Sequence, residues 1–265
     1  MKCNMSHTLA GWTSGESADC ASLDSAIRID GFPAVNLKIM QDVNAFCFGI
    51  DAVLLSDFAV VKKNECAADL GTGNGVIPLI IARKTGCTFC EFTALEIQKE
   101  QEELAEKNIA LNGLEEKIKV VQGDIKNAKK IFESQSFDVV TSNPPYAVFT
   151  GGAVSVKAIA RQEIFCSLED VIKAASYILK PRGRFYMIHR PERLQQMMTF
   201  FSKYNLAAKK VRFVQPFSLK PPTMILVEAV KDAHCMTTVE NPLVIYKEKG
   251  RYSEEVSALY KKLNG

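Results

Sequence analysis

The stretch Cys66-Ala67-Ala68-Asp69-Leu70-Gly71-Thr72-Gly73-Asn74-Gly75 decides the fold. Its short apolar run, 66–70, predicts a buried strand, and the apolar run that follows, 76–84, predicts a helix. The glycines between them allow positive φ and let a ligand approach the backbone without a Cβ in the way. Their G-x-G-x-G spacing differs from that of dinucleotide-binding and phosphate-binding loops. The stretch therefore predicts a strand, a ligand-binding loop and a helix.

Strands and helices alternate along the rest of the chain, which is typical of a parallel sheet covered on both faces. The predicted strands are 66–70, 91–95, 118–122, 137–141, 184–189, 210–214 and 224–230. The predicted long helices are 52–61, 76–84, 99–111, 167–179 and 191–204. We therefore expect an α/β fold with a doubly wound, mostly parallel seven-stranded sheet.

The N-terminal residues follow a different pattern. Residues 1–25 are rich in Ser, Thr, Ala and Gly without a sustained period, and we expect them to form a flexible tail. From Ile27 to Phe48 the pattern predicts a strand pair, with an alternating strand at 35–40 and a turn at 42–44 before 45–48. We expect one domain, 26–265, made of an N-terminal extension (26–60) and a core (61–265).

Composition narrows the class of protein. The 265 residues are 47% hydrophobic and 24% charged, and we find neither a membrane-spanning apolar run nor a secretory signal. The eight cysteines are scattered, and the C-x-x-C pair at Cys87 and Cys90 lacks the second pair or the His that a zinc site needs. We therefore expect reduced thiols, a cytoplasmic location and no metal.

Charge is divided unevenly along the chain. Residues 1–150 carry a net charge of −6, whereas residues 151–265 carry +9. The segment 171–220 contains eleven Lys and Arg residues and one acid, Glu192. This pattern indicates a polyanionic partner for the second half or a solvated basic face, and charge alone does not choose between them.

Two acids follow the glycine loop at the ends of successive strands. Glu96 ends the second predicted core strand, where a carboxylate can accept the hydroxyls of a ribose. Asp124 ends the third, where an acid can accept a hydrogen bond from an adenine amino group. Because carboxyl ends of parallel strands share one crevice, we expect both acids beside the glycine loop.

The segment Thr141-Ser142-Asn143-Pro144-Pro145-Tyr146 leaves the fourth core strand. Two prolines stop a strand and stiffen the chain that follows. On its own the segment is compatible with a rigid turn, or with a clamp that points Asn143 and Tyr146 at a planar group.

Together these motifs resemble the class I S-adenosylmethionine-dependent methyltransferases, whose fourth-strand motif is Asn/Asp-Pro-Pro-aromatic. The resemblance implies the cofactor S-adenosylmethionine and a set of cofactor-binding residues: Asp69, Gly71, Thr72, Gly73, Gly75, Glu96, Asp124 and Asn143. It also implies four catalytic residues: Asn143, Pro144, Pro145 and Tyr146. In that family the clamp orients a planar amino group toward the methyl donor, and no metal is required.

A narrower resemblance covers about residues 30–260. The stretches 46–55, 188–194, 226–229 and 242–246 are similar to the tRNA1(Val) (adenine-37-N6)-methyltransferase family. It implies tRNA as substrate, with the modified adenine in the anticodon loop. We also expect Phe48 and Asp51 to cover the cofactor from the N-terminal side. One departure is Gln162, where the family often has His in Ala-Arg-His-Glu, and this puts the exact target in doubt.

If the substrate is tRNA, the basic second half of the chain, residues 151–265, is expected to bind its phosphates. The candidate substrate-binding residues are Tyr146, Arg161, His189, Arg190, Arg193, Lys209, Lys210 and Arg212. The same clamp also serves enzymes that methylate a glutamine amide of a translation factor, or other nucleic acids, and these remain alternatives. A non-catalytic RNA-binding module would be expected to have lost the loop or the clamp, and neither is lost. The oligomeric state is left open.

Overall fold

The computed structural model describes residues 27–32, 37–42, 48–145 and 166–262. The expected tail, Tyr146, Arg161 and Gln162 lie outside these ranges, as does most of the expected strand 45–48.

Thirteen strands and seven helices are defined within the described residues. The strands are β1 (Ile27–Phe32), β2 (Leu37–Asp42), β3 (Ala67–Leu70), β4 (Phe92–Glu96), β5 (Ile118–Gln122), β6 (Phe137–Ser142), β7 (Leu179–His189), β8 (Leu206–Gln215), β9 (Met224–Lys231), β10 (Thr238–Val239), β11 (Leu243–Val244), β12 (Tyr246–Glu248) and β13 (Arg251–Tyr252). The helices are α1 (Ile50–Phe58), α2 (Val76–Thr85), α3 (Lys99–Leu111), α4 (Ala128–Ile131), α5 (Leu168–Ile178), α6 (Leu194–Lys203) and α7 (Glu254–Lys262).

A nine-stranded sheet forms the centre of the molecule, in the order β10-β8-β9-β7-β6-β3-β4-β5, with β11 also paired to β8. Neighbours from β5 through β7 run parallel. Strand β9 is antiparallel to both β7 and β8. The predicted doubly wound, mostly parallel sheet is confirmed, and its seven expected strands are joined by the short strands β10 and β11.

Alternation along the strands divides the core between the two faces of the sheet. Val139 and Tyr186 pack with α1 and α2 on one face, whereas their chain neighbours Val140 and Phe185 pack with α5 and α6 on the other. Successive side chains of a strand point to opposite faces, so strands covered on both faces read as continuous apolar runs. This is why the core strands were readable from the sequence.

The parallel strands β3 to β7 end at one border of the sheet, called here the carboxyl edge. Strand β8 also ends at this edge, because it is antiparallel to β9, which is itself antiparallel to β7. The glycine loop, both predicted acids and the Asn-Pro-Pro segment all leave strands at the carboxyl edge. In open α/β sheets this is the edge where ligands bind.

Two details differ from the sequence expectations. The N-terminal strand pair is present, but β2 pairs with β1, which precedes it, and Phe48 is not in a strand. Residues 180–183, left between the predicted helix 167–179 and the predicted strand 184–189, belong to the strand, because α5 passes directly into β7 at Leu179. Strand β7 is irregular in this part: its register with β6 shifts between Phe137 and Val139, and Arg182 has a positive φ of 68°.

In the described part of the chain, no helix has the length and apolar character required to cross a membrane.

Candidate active site

The glycine loop turns sharply between β3 and α2. Gly71 and Gly73 have φ values of 77° and 58°, which side chains rarely adopt. The loop is tied to the next strand, because the backbone N–H groups of Gly71 and Thr72 both donate to the carbonyl of Leu95, at 2.9 and 3.0 Å. A Cβ placed on Gly73 would meet no atom within 4 Å, so open space lies against this backbone. The loop is thus rigid, and one side of it is available to a ligand.

Asp69 lies under the loop, fully buried in β3. Its Oδ1 accepts a hydrogen bond of 2.7 Å from the Thr141 hydroxyl on β6. Burial raises the pKa of Asp69 to about 6, although the hydroxyls of Thr141 and Thr72 favour the ionised carboxylate and oppose the shift. The Thr72 hydroxyl thus lies near Asp69, but among the described residues neither it nor Asp69 Oδ2 has a partner at full hydrogen-bond geometry. Such orphaned atoms beside a glycine loop fit a polar ligand group.

Glu96 ends β4 and is buried. Its Oε2 accepts from the Gly73 backbone N–H at 2.9 Å, and its Oε1 accepts from the N–H groups of Ile97 and Gln98 at 3.0 and 2.9 Å. A carboxylate has about four acceptor positions, so three bonds to the backbone leave room for one more donor. Glu96 therefore fixes the glycine loop and keeps capacity for a ligand hydroxyl.

Asp124 follows β5 and begins a short 3-10 turn, 125–127. Its Oδ1 accepts from the Lys126 backbone N–H at 2.9 Å, and its Oδ2 lies 3.5 Å from the Lys126 ammonium. The side chain stays partly exposed at the carboxyl edge, one strand beyond Glu96. The structure thus brings Asp69, Glu96 and Asp124 to three neighbouring strand ends, as expected.

The Asn143-Pro144-Pro145 segment follows β6 next to the glycine loop. The strand end is anchored by the Ser142 hydroxyl, which donates to the carbonyl of Leu70 at 2.7 Å. Asn143 is half-buried, and its Nδ2 donates to Asp51 Oδ2 at 3.2 Å. Pro144 is buried and Pro145 is exposed.

Asp51 is a buried residue of α1, in the N-terminal extension. Its Oδ1 accepts from the Ala52 backbone N–H, and its Oδ2 faces the Asn143 amide. A carboxylate only accepts hydrogen bonds, so the amide must turn its NH2 group toward Asp51. The carbonyl oxygen of Asn143 consequently lies on the opposite side of the amide group.

Asn108 of α3 and Asn112, which directly follows that helix, join the N-terminal ribbon formed by β1 and β2 to the core. Asn108 accepts from the Met40 N–H at 2.6 Å and donates to the Met40 carbonyl at 3.0 Å. Asn112 forms the same pair of bonds with Lys38, at 3.0 and 2.7 Å. Asn108 also donates to the carbonyl of Asn74 in the glycine loop, at 2.9 Å. Loop and ribbon therefore share one buried anchor.

The predicted RNA-binding residues are spread over two regions. His189 and Arg190 lie at the end of β7, next to β6, and Arg193 follows in a 3-10 turn. His189 is buried, its ring Nδ1 accepts from the Arg190 N–H at 2.8 Å, and burial lowers its pKa to about 4. It is therefore neutral at pH 7. Arg193 Nε is buried and has no hydrogen-bond partner among the described residues.

The basic residues of β8 lie farther away and are engaged within the protein. Lys209 donates to the carbonyl of His234, Lys210 pairs with Glu228 at 3.1 Å, and Arg212 pairs with Glu255 at 2.6 Å. Strand β8 is three strands from β6, roughly 14 Å at about 4.8 Å per strand. The structure does not bring these three side chains together with Asn143.

Some residues at the site were missed by sequence reasoning. Thr141 was taken only as the end of a strand and Ser142 only as part of the segment that leaves it, although two polar residues ending a buried apolar run are a usable signal. The Asn108–Met40 contact spans 68 positions and had no local signal at all. Asp51 was expected over the cofactor, and in the structure it contacts the clamp.

Known proteins resemble this chain in sequence and in fold. It is 27% identical over 235 residues to a tRNA1(Val) (adenine(37)-N6)-methyltransferase of Parabacteroides distasonis, covering 87% of this chain and 95% of that protein. A protein of the same name from Histophilus somni is 29% identical, with 86% and 94% covered. A crystal structure described as a predicted O-methyltransferase of Agrobacterium tumefaciens matches with a TM-score of 0.66 at 21% identity, covering 80% of this chain and 96% of that one.

A family model described as "Methyltransferase domain" matches residues 61–240. The match spans the glycine loop, both acids and the Asn-Pro-Pro segment, and covers more than half of the chain. The chain belongs to the methyltransferase-domain family.

Proposed function

We propose that this methyltransferase transfers the methyl group of S-adenosylmethionine to N6 of an adenine in tRNA, at the position that the curated relatives' name gives, adenine 37. The observation that carries the proposal is the Asn143 amide, held by Asp51 at the carboxyl edge beside the glycine loop. The names of the relatives support the choice of tRNA. We further propose that residues 26–265 act as one domain, a core with 26–60 as its extension.

The residues of the loop fit the cofactor. The open space at Gly73 and the orphaned atoms of Asp69 and Thr72 suit the polar methionine end. Glu96 can accept a ribose hydroxyl while it holds the loop, and Asp124 can accept from the adenine amino group. When bound, S-adenosylmethionine supplies an electrophilic methyl group on a sulfonium sulfur.

The clamp orients the amino group that receives the methyl. An adenine amino nitrogen is a poor nucleophile because its lone pair is delocalised into the ring. Asn143 Oδ1 and the Pro144 carbonyl would each accept a hydrogen bond from one of its N–H groups, which favours a pyramidal nitrogen whose lone pair is withdrawn from the ring and faces the methyl group. Asp51 acts as a positioning residue, since it holds the amide NH2 and so fixes the direction of Oδ1. No strong base is needed, because the proton leaves after the methyl has moved.

Location also supports an RNA substrate. Arg190 and Arg193 directly follow β7, the strand next to β6, and we propose that they contact phosphates. Tyr146 directly follows the clamp in sequence, and we propose that it stacks on the target base. Arg161 is proposed as a phosphate contact on the same resemblance. Lys209, Lys210 and Arg212 are weaker candidates, because they lie on β8, three strands from β6, and each is engaged within the protein.

The test is incubation of the purified protein with methyl-labelled cofactor and, separately, unmodified tRNA, duplex DNA and translation release factors. Label recovered from tRNA as N6-methyladenosine is the expected result. Label in the release factors would instead assign the clamp to a glutamine amide. Asn143→Ala should lose turnover and still bind cofactor, as measured by calorimetry. Full turnover in that variant would refute the clamp mechanism.

A further inference from the structure

The turn between β8 and β9 presents an apolar side chain to solvent at the carboxyl edge. Leu219 is 95% exposed at the tip of the segment Phe217-Ser218-Leu219-Lys220, which a hydrogen bond of 2.9 Å from the Lys220 N–H to the Phe217 carbonyl closes into a turn. Single exposed apolar side chains are common on proteins, so exposure alone indicates no function. The rigidity and position of this turn distinguish Leu219 from such residues.

The turn is fixed from several sides. Pro216 precedes it, and the Pro216 carbonyl accepts from the Tyr246 N–H at 3.0 Å. The ring of Phe217 lies 5.7 Å from that of Tyr246. Pro221 and Pro222 stiffen the return to β9, where the Thr223 N–H donates to Val214 at 2.9 Å. Leu219 therefore stands on a stiff platform, so little conformational entropy is lost when it contacts a partner.

The turn lies on the same edge of the sheet as the candidate active site, where β8 ends and β9 begins. It leaves the end of β8 and enters β9, whose residue Ile225 pairs with His189 at the end of β7. Arg190, which follows β7, donates through Nη1 to the carbonyl of Thr223 at 3.2 Å, and so connects the end of β7 with the turn. Strands β9 and β8 lie two and three steps from β6, roughly 10–15 Å, which matches about three or four stacked nucleotides at 3.4 Å each.

We propose that Leu219 is a wedge that packs against unpaired bases of the RNA within about three or four nucleotides of the target adenine. An adenine must leave its stack to reach Asn143, and apolar side chains that enter such gaps support the displaced arrangement. The exposed Lys220 next to the tip supplies a cation for the adjoining phosphate. The inference rests on the proposed function and adds the residue that holds the stacked loop open around the displaced adenine.

Two RNA substrates with the same loop sequence test the wedge: a full tRNA transcript and a short oligonucleotide without structure. Leu219→Ala should lower kcat/KM for tRNA about tenfold, the loss of roughly one base contact. For the oligonucleotide, whose target is not held in a stacked loop, the change should stay within about twofold. Leu219→Phe, which keeps a large apolar side chain, should have wild-type activity on tRNA. The cofactor Kd should be unchanged in both variants.

Met236→Ala is the matched control, because Met236 is also a large apolar residue, 78% exposed, outside the carboxyl edge. It should behave as wild type on both RNAs. Wild-type activity of Leu219→Ala on tRNA, equal losses on both RNAs, or an equal loss in the control would each overturn the wedge. If the wild-type protein methylates neither RNA, the proposed function fails and the wedge fails with it, which is a distinct result.

Discussion

Two buried titratable residues of the site should oppose each other in the pH dependence of stability. Burial raises the pKa of Asp69 from 3.8 to about 6 and lowers the pKa of His189 from 6.5 to about 4. The folded protein binds a proton at Asp69 more readily than the unfolded chain does, so this residue's contribution is complete below pH 3.8 and is lost as pH rises to 6. The contribution of His189 is complete above pH 6.5 and is lost as pH falls to 4.

The two contributions have similar size and opposite sign. Each pKa shift exceeds two units, and at about 1.4 kcal/mol per unit each corresponds to about 3 kcal/mol of unfolding free energy. As pH falls from 6.5 to 4, the wild-type protein gains about 3 kcal/mol of unfolding free energy from Asp69 and loses about the same amount from His189. Two strand steps separate β3 from β7, so the two effects should be additive.

Substituting one of the two residues should reveal the effect of the other on the pH dependence of the unfolding free energy. Asp69→Asn retains an acceptor for Thr141, and His189→Asn retains one for the Arg190 N–H. Urea unfolding of the cofactor-free protein at several pH values from 4 to 7 measures the difference from wild type, which cancels the titration of all other groups. On going from pH 6.5 to 4, Asp69→Asn should lose about 3 kcal/mol relative to wild type, and His189→Asn should gain about 3 kcal/mol. The double variant should follow the wild type. If the Asp69→Asn curve runs parallel to that of wild type, the burial argument is refuted.

Three further substitutions test hydrogen bonds of the site. Glu96→Gln places an NH2 group where a backbone N–H must be accepted, so the free protein should lose about 1.5–3 kcal/mol of stability, measured by urea unfolding without cofactor. Unchanged stability would mean that Glu96 does not hold the loop. Asp51→Asn should lower kcat about tenfold and leave the cofactor KM within about twofold, because the Asn143 amide loses its fixed direction. A raised KM with normal kcat would argue against positioning. Asn108→Asp removes two donated bonds at a fully buried position and should cost about 3 kcal/mol of unfolding free energy; a loss below 1 kcal/mol would contradict the anchor.

The sequence was most informative where a local pattern had one explanation. The apolar runs of β3 and β6 could only be buried strands, and the glycine loop follows the first of them directly. Parallel pairing then required Glu96 and Asp124 to meet the loop at the carboxyl edge. These relationships depend on chain direction and on the two-residue period, both of which are readable from residue order.

Contacts between distant segments were not readable in this way. The partner of β2 was missed because β1 alternates just as regularly as the segment after 42, and pairing depends on tertiary contacts. The internal partners of the basic residues in β8 were missed for a similar reason. Their acceptors, among them Glu228 and Glu255, are supplied by segments that follow in the chain but give no signal of their destination.

The spacing of Asn108 and Asn112 also matches the spacing of the two β2 residues to which they bind. Residues four apart on a helix rise by about 6.0 Å, and residues two apart on a strand by about 6.6 Å, so Asn108 and Asn112 match Met40 and Lys38 almost step for step. Each amide satisfies one N–H and one carbonyl, as a neighbouring strand would. A slip of β2 by one residue would turn Leu37 and Ile39 out of the core and break all four bonds. The helix thus fixes the register of the N-terminal ribbon through the matching spacing of these amides. The same amides occupy the backbone groups at the edge of β2, so that another chain cannot pair there.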